Sequence, residues 1–598
     1  MPPRRSISRG PSAKPVSRAG KPASKLGKVS EIAATTVNGG VLANGKRRIV
    51  SDSYAPPAKK GRISTASTVG ESRRGATMVN AIPGIPSIKM PHNALFVWGT
   101  GDQGQFGLGP DELDEIGRPK LHAWFEEQIK EGKLSRDGQP GTGGLEQVYC
   151  GGMHTLAIDE GGRVRSWGIN DNAALGRITS DVSDPSNPKE MIPSEDLESY
   201  PYVVESLEKE DFRAVQVAAG DSISVAISNK GELRAWGSFR SNDGVLGFDG
   251  VPGHPKFQFT PIALPALTKV QVTHVSCGAD HVLALTATGH VYVWGKGEEN
   301  QLGRRIISRR RINGLEPERL GLRNIVHVAA GIYHSFAVDK AGVVYGWGLN
   351  TFHQTGISPE KGGNDDMIIA PTAIDELHPD KHNGSKVIKV EGGEHHSLFL
   401  FDNGEVWGCG RCDANEVGIA EDHPAYEGIR ARRRTLQAER EERVKEKEKK
   451  LQEIVKKGNK ADKEEKSRVE AELSEAQATL KVPPSGEYIP EPVRIPFPPI
   501  PEKYEVVPQF PAYVDSKPED NPIVNISAGT RHNLAVSKSG HLYAWGFGNQ
   551  SQLGLGNEEI AQVPSLVRSK LLRPYKTVAA SAGGQHCVAL AVKKPEGE

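Results

Sequence analysis

One motif recurs seven times along this chain, spaced roughly 50–70 residues apart, and a repeat of that length restricts the fold to a stack or ring of similar modules. The fullest copy reads Cys277-Gly278-Ala279-Asp280-His281-Val282-Leu283-Ala284-Leu285, then Gly289-His290-Val291-Tyr292-Val293-Trp294-Gly295, then Gln301-Leu302-Gly303. The Trp-Gly landmark stands at Trp98, Trp167, Trp236, Trp294, Trp347 and Trp545, and Cys409-Gly410 occupies the same place in the sixth copy. A Gly-x-x-His landmark precedes most of them, ending at His154, His281, His334, His396, His532 and His586. In the third copy Ile223 stands where the histidine belongs.

Each copy is a set of short apolar, β-branched runs bounded by Gly, Asn and Asp, which predicts several short strands per unit. Four such strands make a propeller blade, and radial repetition leaves few open sheet edges. The phase of the repeat adds closure. The first Trp-Gly unit, 95–109, has no Gly-x-x-His run before it, and the last Gly-x-x-His run, 582–592, has no Trp-Gly after it. The sequence therefore predicts an all-β, seven-bladed β-propeller over 93–593, closed by N- and C-terminal strands that share one blade.

Net charge is +1, but the distribution is lopsided. Residues 1–75 hold 16 Lys/Arg against 3 Asp/Glu, leaving the remainder at −12. That first stretch is rich in Ser, Pro, Ala, Gly and Lys and poor in aromatic residues, so residues 1–92 are expected to form a disordered basic tail. Two clusters in it, Lys46-Arg47-Arg48 and Lys59-Lys60-Gly61-Arg62, are spaced like a bipartite nuclear-import signal, and the same charges suit DNA phosphates.

The interval from Cys409 to Trp545 is twice the usual length. Within it, 428–489 is dominated by Arg, Lys and Glu, which predicts a charged helical insertion in the sixth blade. Val469, Leu473, Ala476 and Leu480 give its second arm a thin apolar stripe. Most of its charges can pair with one another, so the insertion is read as a solvated excursion. The five cysteines are odd in number, and Cys409-Gly-Arg-Cys412 lacks the second pair that a zinc site needs. No metal, cofactor or membrane segment is expected, and no phosphate-loop, zinc-protease or nucleophile-elbow motif points to covalent chemistry.

With the repeats placed, the chain resembles the regulator of chromosome condensation family, seven-bladed propellers that act as guanine-nucleotide exchange factors for the GTPase Ran. The resemblance covers about 93–420 and 490–593, and three local matches carry it. In Trp236-Gly237-Ser238-Phe239-Arg240-Ser241-Asn242-Asp243-Gly244-Val245-Leu246-Gly247 an Asn-Asp-Gly turn separates two short runs, which reads as a protruding hairpin. In the family this segment, here Ser241, Asn242, Asp243, Gly244, Val245 and Leu246, is the wedge pressed against the GTPase. Asp102, Asp221, Asp280 and His395 match family residues implicated in nucleotide release, with His154, Arg304 and His586 at equivalent landmarks on the GTPase side. Arg309, Arg310 and Arg311 fall where the family has a loop that touches histones.

The resemblance thus implies exchange catalysis on Ran without covalent chemistry, a nuclear, chromatin-associated location and a monomer. Its implied partners are Ran, nucleosomal histones and DNA, and an import receptor. The competing reading is a propeller scaffold or nucleosome-binding protein without exchange activity. Glu394 where the family usually has Gln, Ile223 for a repeat histidine, Cys409 for the repeat aromatic and the 428–489 insertion all depart from the pattern. His281, His334, His396 and His532 are read as structural, each ring bonded to backbone within its own repeat.

Overall fold

The structure, a computed structural model, describes residues 77–87, 91–456, 463–482, 486–499 and 517–595. The basic clusters at Lys46–Arg48 and Lys59–Arg62 lie outside the described residues. The described part is an all-β, propeller-like assembly of antiparallel four-stranded sheets. Seven such sheets occur among the described residues, with one two-stranded ribbon.

The fourth sheet shows the pattern: Val272–Cys277, His281–Thr286, Val291–Gly295 and Glu318–Arg319 pair in sequence order. The second, third, fifth, sixth and seventh follow within 145–203, 214–262, 325–373, 387–495 and 523–566. The first sheet is composite. Asn93–Gly99 and Ile116–Leu121 come from the beginning of the repeats, and Tyr575–Ala582 and His586–Lys593 from their end. Asn93–Gly99 pairs along its whole length with the last strand, Asn93 opposite Val592 and Gly99 opposite His586.

Burial explains the composition of the strands. The second strand of each sheet is packed on both faces, as in HVLALT, where all six residues are buried. A strand with no wet face reads as a continuous apolar run rather than an alternating one. All six landmark tryptophans are at most 1 % exposed.

What joins one sheet to the next is a repeated polar relay. The histidine opening the second strand donates or accepts through Nε2 across the junction to the residue that follows the corresponding histidine in the next sheet. The pairs are His154–Ser224 (2.9 Å), His281–Ser335 (2.8 Å), His334–Ser397 (2.7 Å), His396–Asn533 (2.8 Å), His532–Cys587 (3.1 Å) and His586–Thr155 (2.8 Å). That acceptor in turn bonds a loop carbonyl of the preceding sheet, and the landmark tryptophan donates to the same carbonyl. Ser335 Oγ and Trp347 Nε1 both meet the Gln301 carbonyl at 2.9 Å. Cys409, in the tryptophan position, places its thiol 3.6 Å from the equivalent Gln354 carbonyl. These histidines therefore bond side chains of the neighbouring sheet, not backbone of their own repeat, because each ring points out of its sheet into the junction.

Two glycines make room. A Cβ on Gly278 would lie 2.2 Å from His281 Cε1, so the Gly of Gly-x-x-His is the bed of the imidazole. Gly303 turns at φ +61°, and a Cβ there would meet Trp347 Nε1 at 2.9 Å.

The third-to-fourth junction breaks the relay. Ile223 replaces the histidine, Val282 occupies the acceptor position, and Trp294 makes no indole hydrogen bond among the described residues. Both partners of a buried pair are changed together, so neither is left unsatisfied. The space is apolar: Ile223, Val282, Trp294, Phe239 and Leu315 share one core cluster.

The insertion leaves the sixth sheet after its third strand as two helices, Tyr426–Lys456 and Lys463–Lys481, and the fourth strand resumes at Tyr488. Val469 and Ala476 are buried in the helix pair, whereas Leu473 and Leu480 are only half-buried. Its root is pinned by Arg433, whose Nε and Nη2 meet Glu487 at 2.5 and 2.8 Å. Beside it the Arg432 guanidinium lies 4.2 Å over the Tyr488 ring, which stacks on His353 at 4.4 Å.

Burial holds the relay imidazoles neutral, lowering His281, His532 and His586 to about 3 and His154 and His396 to about 4. A histidine whose folded value lies below its ordinary ~6.5 stabilises the fold above pH ~6.5 and loses that contribution as the pH falls towards the folded value. The melting temperature should therefore decline steadily from pH 6.5 to 4. Calorimetry at pH 5.5 in buffers of differing ionisation enthalpy should show net proton uptake on unfolding.

Candidate functional site

The strand order fixes where the candidate residues stand. In every sheet the turn between strands one and two and the loop between strands three and four emerge at the same end. Asp221, Asp280 and His395 lie in first-to-second turns. Asp102, Arg304, Arg309–Arg311, the Ser241–Leu246 segment and the helical insertion lie in third-to-fourth loops. All therefore share one end of the assembly.

The hairpin is the best-defined feature there. Phe239–Ser241 pairs with Gly244–Gly247, with Ser241 opposite Gly244 and Asn242-Asp243 at the tip. Gly244 has φ +116°, a backbone conformation that favours glycine even though a Cβ there would meet nothing. Phe239 is fully buried at the base, and Asn242 and Asp243 are exposed. This ribbon occupies the loop position whose carbonyl serves the relay elsewhere, which is why the third-to-fourth junction lacks it.

Around the hairpin the structure gathers charge. Asp280 Oδ1 accepts the Arg240 backbone N–H at 2.6 Å. Burial first, and Asp221 second among the groups that disfavour its ionisation, push the Asp280 carboxyl up to about 7. Asp221 reaches solvent but sits in a crowded depression of ≈ 420 Å³ with Arg240 and Arg531, and that crowding raises its carboxyl too. His395 lies on the sixth sheet, its ring 4.8 Å from Phe352 and 6.1 Å from Tyr333, with Glu394 3.5 Å from Nδ1. That contact holds the Glu394 carboxyl below its usual range. Asp102 is exposed, with Gln105 Nε2 at 3.3 Å.

Three further sequence candidates are placed otherwise. His154 and His586 are 0 % exposed and committed to the relay, so neither presents a surface to a partner. Arg304 is half-buried and paired with Glu318 at 2.8 Å, which ties the loop to the short fourth strand. Of the three consecutive arginines, Arg309 and Arg310 are exposed, whereas Arg311 reaches Asp243 at the hairpin tip (2.6 Å) and Glu298 (3.3 Å).

Other charged groups at this end come from positions that the repeat treats as ordinary. The residue after the Trp-Gly pair is Thr100, Ile169, Ser238, Leu349 or Phe547 in five copies, but Lys296 and Arg411 in the other two. Lys296 reaches the hairpin. Arg411 pairs with Asp413 (2.7 Å), and Arg531 bridges Asp413 (2.8 Å) and the fully buried Glu416 (2.5 Å). Among the described residues no group of three His, Cys, Asp or Glu could hold a metal ion.

The family model described as "RCC1-like domain" matches residues 94–589. The chain belongs to that family. It is 32 % identical over 549 residues to Protein pim1 of Schizosaccharomyces pombe, covering 92 % of this chain and 81 % of that one. It is equally 32 % identical over 517 residues to the guanine nucleotide exchange factor SRM1 of Saccharomyces cerevisiae, covering 83 % and 87 %. Among solved structures, Prp20p of S. cerevisiae superposes with TM-score 0.62 at 29 % identity, covering 85 % and 93 %, and its binding to Gsp1p and histones accompanies that structure. Yeast RCC1 (Prp20) bound to Kap60 matches with TM-score 0.63 at 28 % identity, covering 91 % and 97 %.

A carboxyl raised to about 7 favours the folded state below its ordinary ~3.9, and that contribution is lost as the pH rises through 7. Asp280→Asn keeps an acceptor for Arg240 N–H without the charge. At pH 8 the variant should be more stable than the parent by roughly 1–2 kcal/mol, the site being partly solvated. The gap should close as the pH falls towards 4, measured as paired denaturant midpoints.

Proposed function

We propose that this protein is a chromatin-bound guanine-nucleotide exchange factor for Ran, built as a seven-bladed ring that both chain ends close. The composite first sheet and the relay continuing from His586 to Thr155 support the closed ring. One observation carries the activity: a rigidly based, solvent-exposed hairpin replaces a regular loop, beside Asp221 and Asp280, at the end that carries the candidate residues. The naming of SRM1 as an exchange factor and the binding of Gsp1p and histones by Prp20p support the partner assignment. The complex of yeast RCC1 with Kap60 supports nuclear import through the basic clusters at Lys46–Arg48 and Lys59–Arg62.

An exchange factor accelerates nucleotide release by binding the nucleotide-free GTPase more tightly than the loaded one. Each tenfold acceleration requires ~1.4 kcal/mol of that difference. The hairpin is suited to supply it, since its tip can enter a phosphate-binding loop while its base stays fixed in the core. Asp221 and Asp280 attract basic segments of the GTPase, and a cation beside them favours their ionised forms. Arg309 and Arg310, exposed on the adjacent loop, are the groups proposed to meet the histone surface, with the basic tail on DNA.

Release of a fluorescent GDP analogue from Ran, with this protein substoichiometric and GTP in excess, tests the reading. Rapid multiple-turnover release is expected. Deleting Asn242–Leu246 should lower the rate ~100-fold or more while circular dichroism stays that of the parent. Equal rates from parent and deletion would remove the hairpin from the mechanism, and no acceleration by either would leave a scaffold.

A further inference from the structure

At six junctions a loop is fastened by its own carbonyl, which takes hydrogen bonds from the next sheet. The hairpin has no such bond, because Ile223, Val282 and Trp294 make its base apolar. An apolar base fixes depth but is non-directional, so something else must fix where the tip points. Five polar contacts do so, and all come from the fourth repeat, one of them from the Asn242 Nδ2 to Glu299 Oε1 (3.4 Å). Asp280 takes the Arg240 N–H (2.6 Å), and Glu298 takes the Asn242 N–H (3.0 Å). Lys296 Nζ donates to Asn242 Oδ1 (2.9 Å), and Arg311 pairs with Asp243 (2.6 Å).

Lys296 is the centre of this set. It is 5 % exposed, yet carries an ammonium that must be satisfied locally. Its partners are Asn242, Glu299 at 2.9 Å, Glu298 at 3.7 Å and the face of Tyr333, 5.5 Å away. The Asn242 amide is engaged at both ends, with its Nδ2 3.4 Å from Glu299 Oε1. Swinging the hairpin away would cost the buried ammonium an acceptor and take from Glu298 and Glu299 the donors that Asn242 supplies.

We propose that Lys296, Glu298 and Arg311 are positioning residues that latch the hairpin tip in one orientation, and that nucleotide release depends on this latch. The functional half rests on the exchange-factor reading above, whereas the latch itself is a property of the chain alone. It also gives Asp280 a second role, as the anchor of the hairpin's first strand.

The test pairs Lys296→Met and Lys296→Arg with Glu298→Ala, a change at a partly exposed position that leaves the core untouched and removes the acceptor of the Asn242 N–H. Amide hydrogen exchange over 240–246 in the full chain reads the latch. Lys296→Met and Glu298→Ala should each speed exchange of the Arg240 and Asn242 amides about tenfold with the remaining strands protected as in the parent, and Lys296→Arg should retain most of the protection. In GDP release from Ran, kcat should fall about tenfold in Lys296→Met with KM for the GTPase little changed, and Lys296→Arg should recover it. Parental protection at 240–246 in both Lys296→Met and Glu298→Ala would overturn the latch, and loosened amides with undiminished kcat would overturn its part in exchange. If the parent itself fails to accelerate release, the exchange-factor reading falls, and the hydrogen-exchange result still decides the latch.

Discussion

The structure depends on keeping imidazoles dry. Six histidines are taken out of water at the sheet junctions, and each is tolerable only because a hydroxyl, amide or thiol of the next sheet meets its Nε2. A buried polar pair contributes little net stability when made but costs ~1–3 kcal/mol when half of it is missing. Such pairs therefore specify which sheet sits beside which, while the tryptophans and aliphatic residues supply the bulk of the cohesion. The Gly of Gly-x-x-His and the Gly of Leu-Gly follow from the same requirement, one as the bed of the imidazole and the other as the turn beneath the indole.

That constraint sets the terms on which a functional element could be introduced. A ribbon cannot be grown from a loop whose carbonyl is already a hub, held by two donors of the next sheet. At the third-to-fourth junction the hub is gone, its histidine and hydroxyl have become Ile223 and Val282, and Phe239 from the ribbon's own first strand fills the space. Orientation passes from the relay to charged groups of the next repeat. The insertion of the sixth sheet shows a different solution. There the loop keeps the relay, through Glu416 and Asn533, and the helices depart only beyond it, rooted by Arg433 and Glu487.

The sheets and their propeller-like arrangement were legible because the spacing of Trp-Gly and Gly-x-x-His repeats in the chain as it does in space. The hairpin was legible from its Asn-Asp-Gly signal and from the longer run between Trp236-Gly237 and Leu246-Gly247. The relay was not, since His154 meets Ser224 seventy residues away and nothing in either repeat alone marks the pair. His154 and His586 looked like surface candidates for the same reason: a landmark histidine reads identically whether its ring faces solvent or a neighbouring sheet. Lys296 and Arg411 were visible as cations in a position otherwise held by uncharged residues, but their partners lie in other loops. The insertion's charge pattern foretold helices, and only the structure shows that Tyr426, Arg432 and Arg433 clamp their root.

Ile223 and Val282 carry a historical consequence. If the other six junctions preserve the founding arrangement, the third-to-fourth junction left it through two substitutions that are not independent. Replacing only the acceptor strands an imidazole in an apolar pocket. Restoring only a histidine at 223 today would press it against Val282, with no acceptor at the position that supplies one elsewhere. The order of change is thus constrained, because an acceptor at 282 must come before a histidine at 223. With the ribbon in the hub's place, a lone return of either residue leaves a polar group without its partner. Sequence divergence at this one junction is in that sense a ratchet, fixed by the packing and not by whatever the ribbon touches.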